Sequence, residues 1–244
     1  MGRPTYDMEL IANKKLADNT LGLTFRVTEP PTFEAGQFIS ILFEHNGEEL
    51  KRSYSIASSP EQLKSEGVLE IAIGLVKEGK ASECFSNAKV GNTFQMSGPF
   101  GMLTLPEQHP KRLIFVGTGT GVAPYRAMLP QLEQLGRQGQ AIHILMGARQ
   151  RGDLFYTDDF QKLAESSDSI FFNACLSREQ NVNTTANEYS GYVQYRLEEI
   201  SLTPGEDLIY LCGNPFMIDD CVKQLIERGF GPREIKREKY TFSR

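Results

Sequence analysis

The chain has 244 residues, of which 40% are hydrophobic and 23% are charged, and its formal net charge is −5. This length suits one large domain or two ordinary ones, and this composition excludes disordered and fibrous proteins. The acidic balance provides no global basic field for nucleic acid, and the four cysteines lack the CxxC spacing of a metal site. The apolar runs are no longer than a strand, so we expect no membrane span. The segment Met1–Lys15 carries charges, so we expect no signal peptide and a cytoplasmic protein.

The first part of the chain, from Tyr6 to about Leu105, has the pattern of short strands separated by turns. Its strands are rich in β-branched and aromatic residues, and Ser58-Ser59-Pro60 and Gly98-Pro99 are interpreted as turns. This regular spacing predicts a small, closed antiparallel β-barrel. The predicted strands are Thr20–Thr28, Gln37–Glu44, Leu50–Ala57 and Val68–Val76, and the predicted helix is Ala81–Ala88.

The second part alternates strands with helices, which predicts a doubly wound α/β fold around a parallel sheet. The proline-bearing segment Leu105–Pro110 is the expected linker, so the predicted domains are residues 1–105 and 111–244. In chain order, the predicted strands are Leu113–Val116, Ala141–Met146, Ser169–Ala174 and Asp207–Leu211, and the predicted helices are Val122–Leu135, Asp158–Ala164 and Pro215–Glu227.

A glycine-rich turn, Gly117-Thr118-Gly119-Thr120-Gly121, joins the first strand and helix of this second part. Glycines allow a sharp turn and a close approach to a pyrophosphate, and the helix N-terminus offers free N–H groups to its charge. The spacing departs from GxGxxG, because Val122 and Ala123 follow. The turn by itself fits a nucleotide site and a tight connection without a ligand equally well.

Arginines follow two successive strands of the second part. Arg149 comes after the strand ending at Met146, and Ser177-Arg178 comes after the next strand. An arginine in this position of a dinucleotide fold suits the 2′-phosphate of NADP, because its guanidinium donates two parallel hydrogen bonds. Each arginine alone is more typical of a solvated surface, but two at successive strand ends favour NADP.

Two segments of the first part also carry candidate chemistry. On a predicted strand, Arg52 and Tyr54 share one face, where the ring can stack on a planar group or simply pack. The segment Gly79–Ser82 precedes the short helix, and Ser82 is expected to act as its N-cap or to bind a phosphate.

The chain resembles a bacterial-type ferredoxin–NADP reductase in the ferredoxin-reductase-like flavoprotein family. The resemblance rests on four segments in this order: those around Arg52, Gly79 and Gly117, and then Cys212–Pro215. The resemblance spans nearly the whole chain. It implies an FAD-binding antiparallel β-barrel followed by an NADP-binding α/β domain. It further implies a hydride exchange between NADP(H) and the flavin, and single-electron exchange with ferredoxin or flavodoxin.

The resemblance assigns the FAD site residue by residue. Arg52 would bind the FAD pyrophosphate, Tyr54 would stack on the flavin, and Ser55 would lie near flavin N5. Tyr240 would cover the flavin face away from Tyr54, with Phe242 as the alternative. The second pyrophosphate segment comprises Gly79, Lys80, Ala81 and Ser82.

The nucleotide site is assigned in the same way. Arg149, Ser177 and Arg178 would hold the 2′-phosphate, and Tyr192 would contact adenine or phosphate where many relatives have a basic residue. The pyrophosphate turn comprises Gly117, Thr118, Gly119 and Gly121, and the segment bordering the nicotinamide comprises Cys212, Asn214, Met217 and Asp219. Control of charge near flavin N5 is expected from Ser55, Cys212 and Glu238.

Alternatives to this function are a free-flavin NAD(P)H reductase, a reductase component of an oxygenase, and an FAD-binding electron-relay subunit that does not itself oxidise NADPH. The segment Gly79–Ser82 argues against the first, because it favours tightly held FAD. Arg149 and Ser177-Arg178 argue against the relay, which needs no 2′-phosphate pocket. We expect a monomer that binds neither nucleic acid nor a membrane.

Overall fold

The computed structural model describes residues 4–240 and separates into two compact units. Of these residues, the first unit contains residues 4–104 and the segment Ala123–Met128, and the second contains Leu105–Val122 and residues 129–240. The domain boundaries predicted from the sequence, 1–105 and 111–244, stay a prediction, because a compact unit is not the same as a domain that folds independently.

The first unit is an antiparallel six-stranded sheet that closes into a barrel. Its strands lie in the order β4-β3-β6-β1-β2-β5. An antiparallel bridge between Ile56, directly after β4, and Ile71 of β5 joins the two edges, so neither stays open. The elements are β1 (Thr5–Ala17), β2 (Thr20–Val27), β3 (Phe38–His45), β4 (Glu48–Ser55), α1 (Pro60–Glu66), β5 (Val68–Gly74), α2 (Lys80–Asn87) and β6 (Thr93–Phe100).

Alternating side chains from all six strands fill the barrel, and α2 contributes the fully buried Phe85 to the same core. The side-chain amide of Asn13, on β1, donates to the carbonyl oxygens of Phe85 (3.1 Å) and Ala88 (3.1 Å). These bonds give the Phe85 carbonyl oxygen a second donor besides the Ala88 amide and supply one to the Ala88 carbonyl oxygen just beyond α2. The position of α2, and with it the segment Gly79–Ser82, is therefore fixed by the barrel.

The four strands and the helix predicted for this unit are confirmed, with ends shifted by up to two residues. Three elements were missed. The interpretation of Ser58-Ser59-Pro60 as a turn was wrong, because Ser59 caps α1 in a reciprocal capping box with Gln62. Gly98-Pro99 lies inside β6, where a register irregularity of β3 against β6 accommodates it. The missed elements are β1, α1 and β6.

The second unit is a six-stranded, all-parallel sheet in the order β10-β9-β8-β7-β11-β12. Its strands are β7 (Arg112–Thr118), β8 (Ala141–Ala148), β9 (Ile170–Leu176), β10 (Glu188–Ser190), β11 (Asp207–Gly213) and β12 (Ile235–Lys239). The helices are α3 (Ala123–Ala127, grouped with the first unit), α4 (Leu129–Arg137), α5 (Thr157–Glu165), α6 (Val193–Glu199) and α7 (Pro215–Glu227).

The helix predicted over Val122–Leu135 is broken, which corrects that prediction. A short 3₁₀ turn over Gly119–Val122 precedes α3, and a new helix, α4, begins at Leu129. Pro130 explains the break, because a proline within a continuous helix lacks the N–H donor and clashes with the carbonyl four residues earlier. The sequence also missed β10, α6 and β12.

The chain direction through this sheet reverses at β7. From β7 the chain moves outward to β8, β9 and β10, and then returns to add β11 on the other side of β7. Ligands of open α/β sheets bind outside the carboxyl ends of the strands at such a switch point. Within residues 4–240, no helix combines the length and apolar character required to cross a bilayer.

Candidate cofactor and nucleotide sites

In the barrel, the candidate flavin residues lie at the end of β4. Tyr54 is half-buried, and its ring meets that of Phe85 edge-on at a centroid distance of 5.8 Å. Burial raises the pKa of the Tyr54 hydroxyl, so the hydroxyl stays protonated. Arg52 lies two residues earlier on β4, and Ser55 is only 5% exposed. The ring that would stack on a flavin is thus seated on the barrel core.

The first turn of α2 is open to an anion. Gly79 is the N-cap and has no side chain, so the first amides of the helix lack a side-chain acceptor. Ser82 was expected either to be the N-cap or to bind a phosphate. The first expectation was wrong, because Gly79 is the N-cap. Its hydroxyl oxygen accepts a 2.8 Å bond from the Val76 amide and folds the preceding turn onto the helix. The Lys80 ammonium forms an ion pair with Glu48 and holds the pKa of that carboxyl below its ordinary value.

One contact that the sequence did not indicate fixes the chain just after Ser55. The Arg126 guanidinium, on α3, donates to the Ala57 carbonyl oxygen (3.1 Å) and to the Glu70 carboxylate (3.0 Å). The Ala57 amide in turn donates to the Glu70 carbonyl oxygen. The segment that follows β4 is therefore held by an ion pair and by backbone hydrogen bonds.

In the second unit, the glycine turn after β7 and the segment after β11 meet at the switch point. The Asn214 amide donates to the Thr118 hydroxyl (3.0 Å). A Cβ at Gly121 would lie 2.3 Å from the Cys212 carbonyl oxygen, and one at Gly213 would lie 2.5 Å from the Thr118 carbonyl oxygen. Only glycine permits this approach of two backbones, whose groups line the carboxyl ends of two neighbouring strands.

Cys212, Glu238 and Tyr240 form one cluster at this edge. Cys212 pairs with Glu238 of β12 in register, and the Tyr240 amide donates to the Gly213 carbonyl oxygen (3.0 Å). Burial raises the pKa of the Cys212 thiol well above its ordinary value, and the Glu238 carboxylate raises it further, against a hydrogen bond from Tyr240. Cys212 is therefore a neutral thiol rather than a thiolate nucleophile.

The segment after Cys212 begins α7. The Asn214 side-chain oxygen caps this helix by accepting from the amides of Phe216 (2.9 Å) and Met217 (3.4 Å). Met217 is buried in the sheet core, whereas the Phe216 ring is 79% exposed. Asp219 forms an ion pair with Lys239. These contacts fix the position of the segment, but they engage the Asn214 oxygen and the Asp219 carboxylate within the protein.

Arg149 and Arg178 lie side by side at the carboxyl ends of β8 and β9. The Arg178 amide donates to the Arg149 carbonyl oxygen (2.8 Å), and the Ser177 amide donates to that of Ala148 (3.0 Å). Both arginines are exposed. Neither forms an ion pair with any carboxylate among residues 4–240. Two exposed arginines without an ion pair among the described residues are thus joined through their backbones at a strand edge.

A third arginine in the same loops, Arg151, behaves differently. Its guanidinium binds both carboxylate oxygens of Glu188, at 2.7 Å each, and donates to the Asn181 carbonyl oxygen (2.9 Å). Its amide donates to the Glu179 carboxylate (3.2 Å). No pattern in the sequence distinguishes Arg151 from the neighbouring arginines in this way.

Tyr192 follows β10 at the same edge and is 53% exposed. It is the residue before α6, and its ring lies edge-on to that of Tyr195 at 5.9 Å. An exposed aromatic ring next to unpaired arginines suits an adenine base better than a second phosphate. Phe242, the alternative to Tyr240, lies outside the described residues.

Two family models match the chain: an oxidoreductase FAD-binding domain over residues 7–105 and an oxidoreductase NAD-binding domain over residues 115–223. Over 247 aligned residues the chain is 32% identical to ferredoxin–NADP reductase B of Sorangium cellulosum, covering 96% of this chain and 97% of that protein. The chain belongs to the ferredoxin–NADP reductase family.

The ferredoxin–NADP reductase family also includes reductase components of oxygenases. The chain is 25% identical to the phenol hydroxylase P5 protein of Acinetobacter pittii, covering 96% of this chain and 65% of that protein. It is similar in structure to the cytochrome P450 reductase GcoB of Amycolatopsis, with a TM-score of 0.84 and 26% identity, covering 99% of this chain and 72% of that one.

The family match confirms the resemblance, the two-domain fold class and an oxidoreductase with FAD-binding and NAD-binding domains. Both arginines, the glycine turn and Cys212 fall within the matched NAD-binding domain, and Tyr54 falls within the FAD-binding domain. The roles of individual residues stay predictions.

Proposed function

We propose that the chain is an FAD-dependent NADP(H) oxidoreductase that exchanges electrons with a small carrier protein, ferredoxin or flavodoxin. The observation that carries this proposal is the pair Arg149 and Arg178, which are exposed, joined through their backbones, and without an ion pair to any carboxylate of residues 4–240. Two such groups suit a dianionic phosphate that NADP has and NAD lacks.

FAD fits the residues of the barrel. The first turn of α2, with Gly79 as its N-cap, presents unpaired amides suited to a pyrophosphate. Arg52 adds a guanidinium on the face of β4 that it shares with Tyr54. Tyr54 itself offers a ring whose rear edge is packed on Phe85, so little side-chain freedom is lost on stacking.

NADP fits the edge of the parallel sheet. The turn containing Gly121 and the segment containing Gly213 approach so closely that a side chain at either glycine would meet backbone atoms. The backbone amides at the start of the following helical turn would bind the pyrophosphate. Arg149, Arg178 and the Ser177 hydroxyl would hold the 2′-phosphate, and Tyr192 would contact the adenine.

FAD, when bound, would supply hydride exchange with the nicotinamide and single-electron transfer to the carrier. The protein contributes placement and control of charge. Ser55 offers a buried hydroxyl, Cys212 a neutral thiol, and Glu238 a carboxylate next to that thiol. Tyr240, fixed through its amide to Gly213, is proposed to cover the flavin.

A second candidate is the reductase component of an oxygenase, favoured by the relatives of that kind. In that case the electron acceptor is a separate oxygenase component rather than a free ferredoxin or flavodoxin. The free-flavin reductase is disfavoured by the open first turn of α2, which would retain FAD. The relay subunit is disfavoured by the unpaired arginines, which have no use without a nucleotide.

The test is an anaerobic absorbance titration of the purified protein with NADPH and, separately, with NADH. We expect a yellow protein whose flavin absorbance bleaches at low NADPH and responds more weakly to NADH. A flavin-loaded protein inert to both would support the relay subunit. A colourless protein that reduces added flavin would support the free-flavin reductase. Ferredoxins, flavodoxins and oxygenase components, added in turn to the reduced protein, would then separate the two acceptors.

A further inference from the structure

Arg151 occupies the centre of a small charged network between the two loops that carry Arg149 and Arg178. Its side chain remains half exposed, while its partner Glu188 is 8% exposed. The bidentate geometry is the strongest form of an arginine–carboxylate pair. The hydrogen bond from Arg151 lowers the pKa of the Glu188 carboxyl, against the effect of burial. Glu188 is therefore ionised and matched by one specific guanidinium.

The second carboxylate of the network belongs to Glu179, the residue directly after Arg178. It accepts from the Arg151 amide at 3.2 Å, and one oxygen lies 4.0 Å from the Arg151 guanidinium. Its side chain is largely buried in this position. Consecutive Cα atoms are about 3.8 Å apart, so a freed Glu179 carboxylate could reach the Arg178 guanidinium or the space in front of it.

The network therefore separates charges that would otherwise cancel. Three arginines and two glutamates share these loops, and Arg151 takes both carboxylates. In the part of the chain that the structure describes, Arg149 and Arg178 form no ion pair. A carboxylate released near them would neutralise a guanidinium and repel a phosphate dianion, since like charges at a binding surface oppose association.

We propose that Arg151 is a positioning residue that sets the preference for the 2′-phosphate by withholding Glu179 and Glu188 from Arg149 and Arg178. The inference rests on the proposed nucleotide site and deepens it. Arg151 need not touch the nucleotide. It sets specificity by determining which charges face the nucleotide, and Glu179 is the acidic group that opposes NADP when released.

The experiment measures the dissociation constants of two probes on the flavin-loaded protein by calorimetry. Adenosine 2′,5′-bisphosphate carries the 2′-phosphate, and ADP lacks it. Replacing the pair together, Arg151→Gln with Glu188→Gln, avoids leaving a buried carboxylate unpaired. It removes the guanidinium that attracts Glu179, while the hydrogen bond from the amide of residue 151 to that carboxylate is kept. We expect the preference for the bisphosphate over ADP to fall about tenfold, with ADP affinity nearly unchanged.

Adding Glu179→Gln to that double variant should restore the preference to within about threefold of the parent, because the repelling charge is gone. Arg151→Lys keeps the positive charge and should therefore retain most of the preference for the bisphosphate over ADP. The matched control is Arg137→Gln with Glu133→Gln, an exposed ion pair on α4 near the amino end of β8. It should leave both dissociation constants unchanged.

Three results would overturn the inference: an unchanged preference in the double variant, an equal loss of both ligands, or no recovery with Glu179→Gln. Arg178→Ala separates this inference from the proposed site. If Arg178→Ala leaves the preference intact, the nucleotide site is wrong and the inference falls with it. If Arg178→Ala abolishes the preference and the double variant does not, only the role of Arg151 is wrong.

Discussion

The candidate flavin residues and the candidate nucleotide residues are supported in opposite ways. Tyr54 packs on the barrel core through Phe85, and Ser55 is buried at the end of the same strand. Arg149 and Arg178 are exposed on loops and are joined to each other by a backbone hydrogen bond. This difference suits a flavin that stays bound and a nucleotide that leaves. The candidate flavin residues are part of the barrel core, whereas the candidate nucleotide arginines can be replaced without disturbing the core of their unit.

The glycine turn is the exception, and it supplies the largest expected effect. Gly121→Ala would place a methyl group 2.3 Å from the Cys212 carbonyl oxygen, with only backbone to move aside. We expect a loss of about 3 kcal/mol or more in the free energy of unfolding of the second unit. NADPH should no longer reduce the flavin, while the barrel keeps its FAD. Urea unfolding and the anaerobic titration measure the two effects.

Gly119→Asn is the matched control within the same turn. Gly119 has a positive φ of 55° and open space around its Cβ position, and asparagine tolerates that conformation. We expect stability close to that of the parent. If Gly121→Ala is equally harmless, the close approach of the two segments is not required.

Tyr54→Ala tests the candidate flavin site. Removing a half-buried ring that packs on Phe85 should cost about 2–3 kcal/mol and release the flavin. The absorbance that remains after desalting reports flavin retention, and urea unfolding reports stability. Tyr54→Phe keeps the ring and should behave like the parent. A Tyr54→Ala protein that retains its full flavin content would exclude the stacking role.

Arg178→Ala sharpens the comparison, because its effect should be confined to the ligand. We expect a loss of about 2 kcal/mol in NADPH binding, seen as an increase in KM, with little change for NADH. The free energy of unfolding should stay within about 0.5 kcal/mol of the parent. Equal effects on both nucleotides would remove Arg178 from the 2′-phosphate site. Arg137→Ala, on the remote helix α4, controls for the loss of one positive charge.

The cysteines should show the smallest effect under ordinary conditions. Cys84 is partly exposed, whereas Cys175, Cys212 and Cys221 are buried. Burial raises the pKa values of Cys175 and Cys221 to about 12. At about pH 8 we expect a disulfide reagent to label Cys84 slowly and the other three only in urea. Rapid labelling of Cys212 in the folded protein would contradict its assignment as a neutral, inaccessible thiol.

The raised pKa values of the buried cysteines also predict how the free energy of unfolding changes with pH. A thiol whose pKa is raised by folding stays neutral in the native protein but ionises in the unfolded chain. Its contribution is complete below the ordinary thiol pKa and is lost as the pH rises toward the folded value. The free energy of unfolding should therefore fall above about pH 9, which denaturation at several pH values measures.

Local signals predicted much of the architecture. Helix α7 was predicted with its observed ends, because Asn214 and Pro215 form an unambiguous N-terminus. The apolar strands of the parallel sheet were found because they are buried on both faces. Strand β1 was missed, since outward-facing residues such as Asp7, Lys14 and Lys15 interrupt its apolar pattern.

What the sequence leaves undetermined is which distant group each side chain meets. Arg149 and Arg151 are two residues apart and chemically identical, yet only Arg151 meets Glu188, 37 residues further along the chain. The Asn214 amide likewise meets the Thr118 hydroxyl, 96 residues earlier in the chain, which no local pattern specifies. Tertiary pairing, rather than residue type, distinguishes an arginine that stabilises from one that can bind.

The position of β11 beside β7 also governs when the nucleotide edge can exist. Thr118 and Asn214, which bond across the switch point, are 96 residues apart. During synthesis, β8 and β9 can pair on one side of β7 while its other side lacks a neighbour until β11 emerges from the ribosome. An uncovered strand edge is a template for unwanted pairing. The nascent chain thus remains vulnerable to aggregation until the strand that completes the nucleotide edge has been made.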